Sequence, residues 1–186
     1  VTKEEVTVAA LYAIDDIVAA VRELKGRLAP NRVAALLRDL PLDERTLTPY
    51  LTWAPQRYTR NLIARDDDVE LIAMCWDAGA ITAIHDHAAS DCAFVLVRGS
   101  LTCENFRLVQ ARDAAGRARV ERAATRVMQP GDLDLASGHL SVHRVGTQTG
   151  GAVTLHVYAK PIDACTHFDD DGSARVCASR YDSVPA

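Results

Sequence analysis

The sequence lacks several things, and each absence removes a class of protein. No apolar run in the 186 residues approaches the ~20 needed to span a bilayer. The start, VTKEEVTVAA, lacks the basic-then-apolar order of a secretory leader. No Cys-x-x-Cys pair occurs among Cys75, Cys92, Cys103, Cys165 and Cys177, which are odd in number and widely spaced. That argues against a disulfide framework and a structural zinc knuckle, and it fits a reducing cytoplasm. Neither sign of charge dominates: the net charge is −4, so neither nucleic acid nor a membrane surface is an expected partner. With no internal repeat, low-complexity tract or linker, 1–186 reads as one domain, long enough to bury a core and expected to act as a monomer.

Residues 1–50 read as a helical region. Leu11, Ile14, Val18, Val21 and Leu28 fall at three-, four- and seven-residue steps, the stripe of one long amphipathic helix. Asn31 is placed to cap a second helix carrying Val33, Leu36, Leu37 and Leu40, with Pro41 and Pro49 closing the region. From about Arg57 the character changes. VELIAMCW, DCAFVLV, SLTCENFRLV, RVERAATRVM and GAVTLHVYA are short and rich in strand-forming residues. DDD (66–68), RGS (98–100), DAAG (113–116), QPGD (129–132) and QTGG (148–151) supply turns between them. With no helical period between the strands, an antiparallel sandwich or barrel is expected, with the helices packed against it.

Within IHDHAASDC (84–92), His85 and His87 stand two apart. On an extended segment they point to one side, with Asp86 away from them, so two imidazoles can share an ion. The bland alternative is a pair of half-exposed loop histidines, and H-x-H alone does not decide between them. The wider spacing does more. Gly79, five residues, His85, one residue, His87, four residues, Cys92, six residues and Gly99 resemble the first motif of the cupin family, with Cys92 where a glutamate ligand usually stands. QPGD followed by His143 resembles the second motif more loosely. The resemblance implies a double-stranded antiparallel β-barrel, a jelly roll, with His85, His87 and His143 as metal ligands; His139 competes for the third place, and motif position favours His143.

Further stretches are similar to one cupin subfamily, the cysteine dioxygenases. RYTRNLI (57–63) resembles the substrate-binding strand, VHRV (142–145) the segment with the third histidine, and AVTLHVYAKPIDACTHFD (152–169) the catalytic strand and the tail after it. The likeness implies one Fe(II) per chain, and a thiol and O2 as small-molecule partners. The reaction it implies is oxidation of L-cysteine to cysteine sulfinic acid. It also implies a thioether between Cys92 and Tyr158, which answers why a cysteine replaces the carboxylate; without the likeness, Cys92 would read as a small buried core residue. Arg60 is implied to hold the substrate carboxylate with its planar fork, and Tyr58, on the same side of its strand, to add a hydroxyl. Arg57, three positions from Arg60, should point the other way. Thr154, His156 and Tyr158 alternate on one strand and resemble a relay in which Thr154 orients His156 and His156 holds the Tyr158 hydroxyl. Trp76 and Cys165 read as pocket wall or packing, and His167 as structural.

One departure stands out. Animal members carry Ser-Pro-Pro after the catalytic tyrosine, whereas this chain has Ala159-Lys160-Pro161, which puts a charge near the pocket. Other carboxylated thiols therefore stay open as substrates: 3-mercaptopropionate, mercaptosuccinate or an ergothioneine-type thiol. Arg60 favours cysteine over 3-mercaptopropionate, whose users tend to carry glutamine there. A non-catalytic cupin that binds or senses a small ligand, and a zinc or nickel cupin with isomerase or hydrolase chemistry, are the rival classes.

Overall fold

The fold comes from a computed structural model that describes residues 10–24, 26 and 28–185. The helical region is shorter than its apolar stripe. Helix α1 spans Ile14–Glu23, and Leu11, which precedes it, is exposed. The Ile14 N–H is capped by Thr46 Oγ1 at 2.9 Å, and Asp16 accepts the Ala13 N–H at 3.1 Å, so the helix starts where long-range partners can satisfy its first donors. Leu28 lies beyond the helix, and Lys25 and Arg27 lie outside the described residues. Helix α2 spans Pro30–Asp39 with Ala29 as its cap. Asn31 is therefore inside the helix rather than capping it, because Pro30, with φ already fixed near the helical value, takes the first helical position. Glu44–Tyr50 forms a 3₁₀ turn that includes Pro49.

The strands are β1 (Tyr58–Arg65), β2 (Val69–Trp76), β3 (Ile84–His85), β4 (Asp91–Arg98), β5 (Leu101–Gln110), β6 (Arg119–Met128), β7 (Leu133–Ser137), β8 (Val142–Gly146), β9 (Ala152–Ala159), β10 (Ala164–Phe168) and β11 (Ala174–Ala178). They pair antiparallel into a five-stranded sheet, β1-β2-β9-β4-β7, and a six-stranded sheet, β11-β10-β3-β8-β5-β6. The two face one another as the cupin double-stranded barrel.

Strand period two explains why β2 and β9 read as near-continuous apolar runs. Leu71, Ala73, Val153, Leu155 and Val157 turn outward and are covered by Ile14, Ile17, Val21, Val33 and Leu37 of the helices. Ile72, Met74, Trp76 and Tyr158 turn inward and meet Leu101, Cys103, Met128 and Val145 of the other sheet. With both faces buried, a strand has no solvent side to mark with polar residues. The inward face of β9 therefore carries Thr154, His156 and Tyr158 into the barrel.

The β4–β5 turn shows how tightly the sheets close. Gly99 has φ +83°, and a Cβ there would lie 2.6 Å from Ala152 Cα. Gly99→Ala is expected to destabilise the fold by roughly 2–4 kcal/mol, from left-handed strain plus a backbone clash. It should appear as a lower urea midpoint with unchanged slope.

Candidate active site

Three histidines meet inside the barrel. His85 on β3 and His143 on β8 are direct cross-strand partners. His87 lies two residues past the end of β3, where its N–H bonds the Gly138 carbonyl at 3.2 Å. Ligand atoms of the three side chains all fall within 4.8 Å of one another. The His85 Nδ1 lies 3.0 Å from the Ala83 carbonyl, which can only accept, so Nδ1 carries the hydrogen and Nε2 keeps its lone pair. The His143 Nδ1 faces Asp134 Oδ2 at 3.6 Å and Cys103 Sγ at 3.9 Å. The His87 Nδ1 is buried with no hydrogen-bond partner. Burial, followed by the neighbouring imidazoles, pushes His85 down to about 3 and His87 well below its ordinary value. Both are therefore neutral at physiological pH, the form that binds metals. Clustered neutral imidazoles with spare lone pairs and no protein partner fit a divalent transition ion.

His139 does not join them. Its exposed ring points away and places Nδ1 2.7 Å from Asp86 Oδ2. The buried Asp86 also accepts the Thr166 and Ala88 N–H groups, at 2.8 and 3.1 Å.

A cavity of about 420 Å³ opens over the three histidines. Arg60 and Tyr58 both line it, as their shared side of β1 requires. Arg57 also reaches it, against the expectation that only one arginine could. It stands before the strand begins, at the mouth, and pairs with Asp182 at 2.7 Å. Behind Arg60 lies Glu70, which is fully buried and 3.1 Å away. Arg65 stands 3.6 Å from the same carboxylate, and the Ile162 N–H bonds it at 3.1 Å. Burial raises the Glu70 pKa, against the opposing pull of Arg60 and the Ile162 N–H. Arg60 keeps one N–H in hand: its buried Nε has no partner.

On β9, Thr154 and His156 are joined at 2.9 Å, and Trp76 Nε1 donates to Thr154 at 3.0 Å. The Thr154 hydroxyl accepts from tryptophan and has its own hydrogen for His156 Nε2. The His156 ring stacks on Phe94 at 4.6 Å and runs nearly parallel to Tyr158 at 6.0 Å. Two parallel rings at alternate positions turn their edges the same way, and no hydrogen bond joins His156 to the Tyr158 hydroxyl. His156 Nδ1 instead faces Cys92 Sγ at 3.9 Å. Burial holds the Tyr158 hydroxyl well above its ordinary pKa, so it stays a neutral donor. Cys92 sits directly opposite Tyr158 in the β4–β9 register, and burial raises its thiol as well.

Several features escaped the sequence. Glu70 had a signal: it is the one charge within VELIAMCW. Asp134 lies just past the QPGD turn, and nothing local marks it as facing His143. His167 reads as structural, yet it is the cross-strand partner of His85 and lines the cavity. Trp76 and Cys165 line it too. Lys160 adds no charge to the cavity. It is exposed at φ +77°, its N–H bonds the Asp68 carbonyl at 2.8 Å, and its carbonyl accepts the Ser90 hydroxyl, which turns it to the outer surface.

The family profile for cysteine dioxygenase type I matches residues 4–171. The chain is 29% identical to human cysteine dioxygenase type 1 over 142 residues, covering 75% of this chain and 69% of the relative. It is 30% identical to the Rattus norvegicus protein of that name over 123 residues, covering 64% and 60%. A solved structure of KdgF from Halomonas sp. superposes with a TM-score of 0.46 at 18% identity, covering 65% of this chain and 87% of that one. The chain belongs to the cysteine dioxygenase type I family and is an oxidoreductase of the thiol dioxygenase kind.

Proposed function

We propose that the chain is an Fe(II) dioxygenase that adds both atoms of O2 to the thiol of L-cysteine, giving cysteine sulfinic acid. The observation that carries this reading is the convergence of two things on one cavity: the three clustered imidazoles, and Arg60 with an unpartnered buried Nε. Held by His85, His87 and His143, one Fe(II) would acidify the thiol and supply the redox chemistry that lets O2 react with a spin-paired molecule. The chain's own groups do the rest. Arg60 takes the substrate carboxylate, with Glu70 behind it fixing the guanidinium. Tyr58 adds a hydroxyl beside Arg60. Tyr158, held neutral, donates toward the carboxylate or the reacting oxygen. Thr154 orients His156, and its ring packs the wall behind Tyr158. The thiol sulfur loses four electrons and O2 gains them, with both oxygens ending on sulfur, so no outside reductant is needed.

Cys92 and Tyr158, opposite in register, are read as the thioether pair that the family resemblance implies. Linkage is expected as an intact-protein mass lower by two hydrogens, abolished in Cys92→Ser. Asp134 is read as the group that orients His143. Asp134→Asn is expected to weaken iron binding about tenfold, the usual cost of losing a carboxylate behind a ligating histidine, read by competition with a chelating dye.

The test is oxygen uptake by the iron-loaded protein with L-cysteine, 3-mercaptopropionate, mercaptosuccinate, ergothioneine and cysteamine, with products identified by mass. Fastest turnover of L-cysteine to the sulfinate supports the reading. Preference for another carboxylated thiol keeps the chemistry and moves the substrate. Uptake with none of them points to the ligand-binding alternative.

A further inference from the structure

The stretch 172–186 lies beyond the part of the chain that the family profile matches, yet some of it walls the cavity. Ala178, Ser179, Arg180 and Asp182 all line it. Their backbone is held firmly. The Ser179 N–H bonds the Asp163 carbonyl at 2.8 Å, and the Asp182 N–H bonds the Arg60 carbonyl at 2.7 Å. The Leu62 N–H bonds the Ser183 carbonyl at 2.9 Å, and Ser183 bridges Asn61 in parallel. The Asp182 carboxylate accepts the Arg60 N–H at 2.8 Å and pairs with Arg57 at 2.7 Å. The Tyr181 hydroxyl accepts from Arg65 at 2.7 Å. The segment is thus laid along β1, the strand that carries Arg60.

Arg180 stands among these anchors with its side chain free. Among the described residues it makes no hydrogen bond or ion pair. The other two arginines of the cavity are matched, Arg57 by Asp182 and Arg60 by Glu70. Asp182 is the sole carboxylate among the lining residues, and Arg57 and the Arg60 N–H already occupy it. A fixed backbone therefore presents one uncompensated guanidinium to a cavity of about 420 Å³, more room than a thiol with one carboxylate fills.

We propose that Arg180 forms a second anion subsite, so that the cavity takes small thiols carrying a second carboxylate besides the one Arg60 holds. This rests on reading the cavity as a thiol dioxygenase site, and it adds a substrate class to that reading. A planar guanidinium pairs with a carboxylate through two parallel hydrogen bonds. Because Arg180 lies at the exposed rim, solvent limits the gain to about tenfold in affinity.

Two probes isolate that carboxylate. Mercaptosuccinate is 3-mercaptopropionate with one more carboxylate, on the carbon that bears the thiol. Their affinities for the iron-loaded protein are measured by calorimetry in the absence of O2. The wild type is expected to prefer mercaptosuccinate. That preference should fall about tenfold in Arg180→Ala and be largely restored in Arg180→Lys, with thermal unfolding checking that each variant is folded. A wild type without the preference, or an Arg180→Ala that keeps it, overturns the proposal. Oxygen uptake on L-cysteine and on the same two thiols separates this from the parent reading. Uptake with none of the three, while the calorimetric preference responds to Arg180, removes the dioxygenase and leaves the subsite. Uptake with L-cysteine, and a preference indifferent to Arg180, removes the subsite and leaves the dioxygenase.

Discussion

His143→Ala is expected to lose at least about 100-fold in iron affinity and with it nearly all turnover, while His139→Ala keeps its iron. Altering a group behind a metal ligand already costs about 10–100-fold in affinity, and removing the ligand itself costs more. The two histidines are four apart in sequence but differ in surroundings. His143 is buried, opposite His85 across the β3–β8 pair. His139 is exposed and engaged with Asp86. Metal content after iron loading and desalting reads the difference, with circular dichroism checking the fold. Iron retained in His143→Ala and lost in His139→Ala would make His139, not His143, the third ligand.

Arg60→Ala is expected to lower kcat/KM for L-cysteine by about 100-fold, roughly 3 kcal/mol of transition-state binding. The basis is the proposed charge-assisted, two-point contact with the substrate carboxylate in a largely buried setting. Cysteamine, which lacks the carboxylate, should lose far less, so the ratio of the two thiols is the readout. The variant carries a second cost. Glu70 is fully buried, and without Arg60 the nearest cation left to it is the more distant Arg65. Breaking a buried pair from one side costs about 3 kcal/mol of stability. The double variant Arg60→Ala/Glu70→Gln should recover stability without recovering cysteine turnover, which separates a substrate contact from a structural one. Equal losses for cysteine and cysteamine would remove Arg60 from carboxylate binding.

Much of this site was legible because strand period two is a rigid rule. Thr154, His156 and Tyr158 had to share a face once β9 was recognised, as did Tyr58 and Arg60 on β1. The sheet register then set Cys92 opposite Tyr158, a fact no spacing within one strand contains. The rest depended on contacts distant in sequence. β3 is two residues long, so His85 and His87 meet through the loop after it rather than by strand alternation alone. The stripe from Leu11 to Leu28 overstated α1, because a capping hydroxyl 32 residues away, on Thr46, decides where the helix starts. Arg57 turned toward the cavity because it precedes β1 and answers Asp182, a residue from the far end of the chain. Arg180 gave no sign of itself, since an arginine near a C-terminus is ordinarily a solvated charge.

Both oxygen atoms of one O2 molecule are proposed to end on the substrate sulfur. Turnover of L-cysteine by the iron-loaded protein under doubly labelled oxygen, in ordinary water, tests it most directly. The expected product is a sulfinate carrying two labelled atoms, with one O2 consumed per sulfinate formed. A product with one labelled atom or none, or cystine as the sole product, would contradict it.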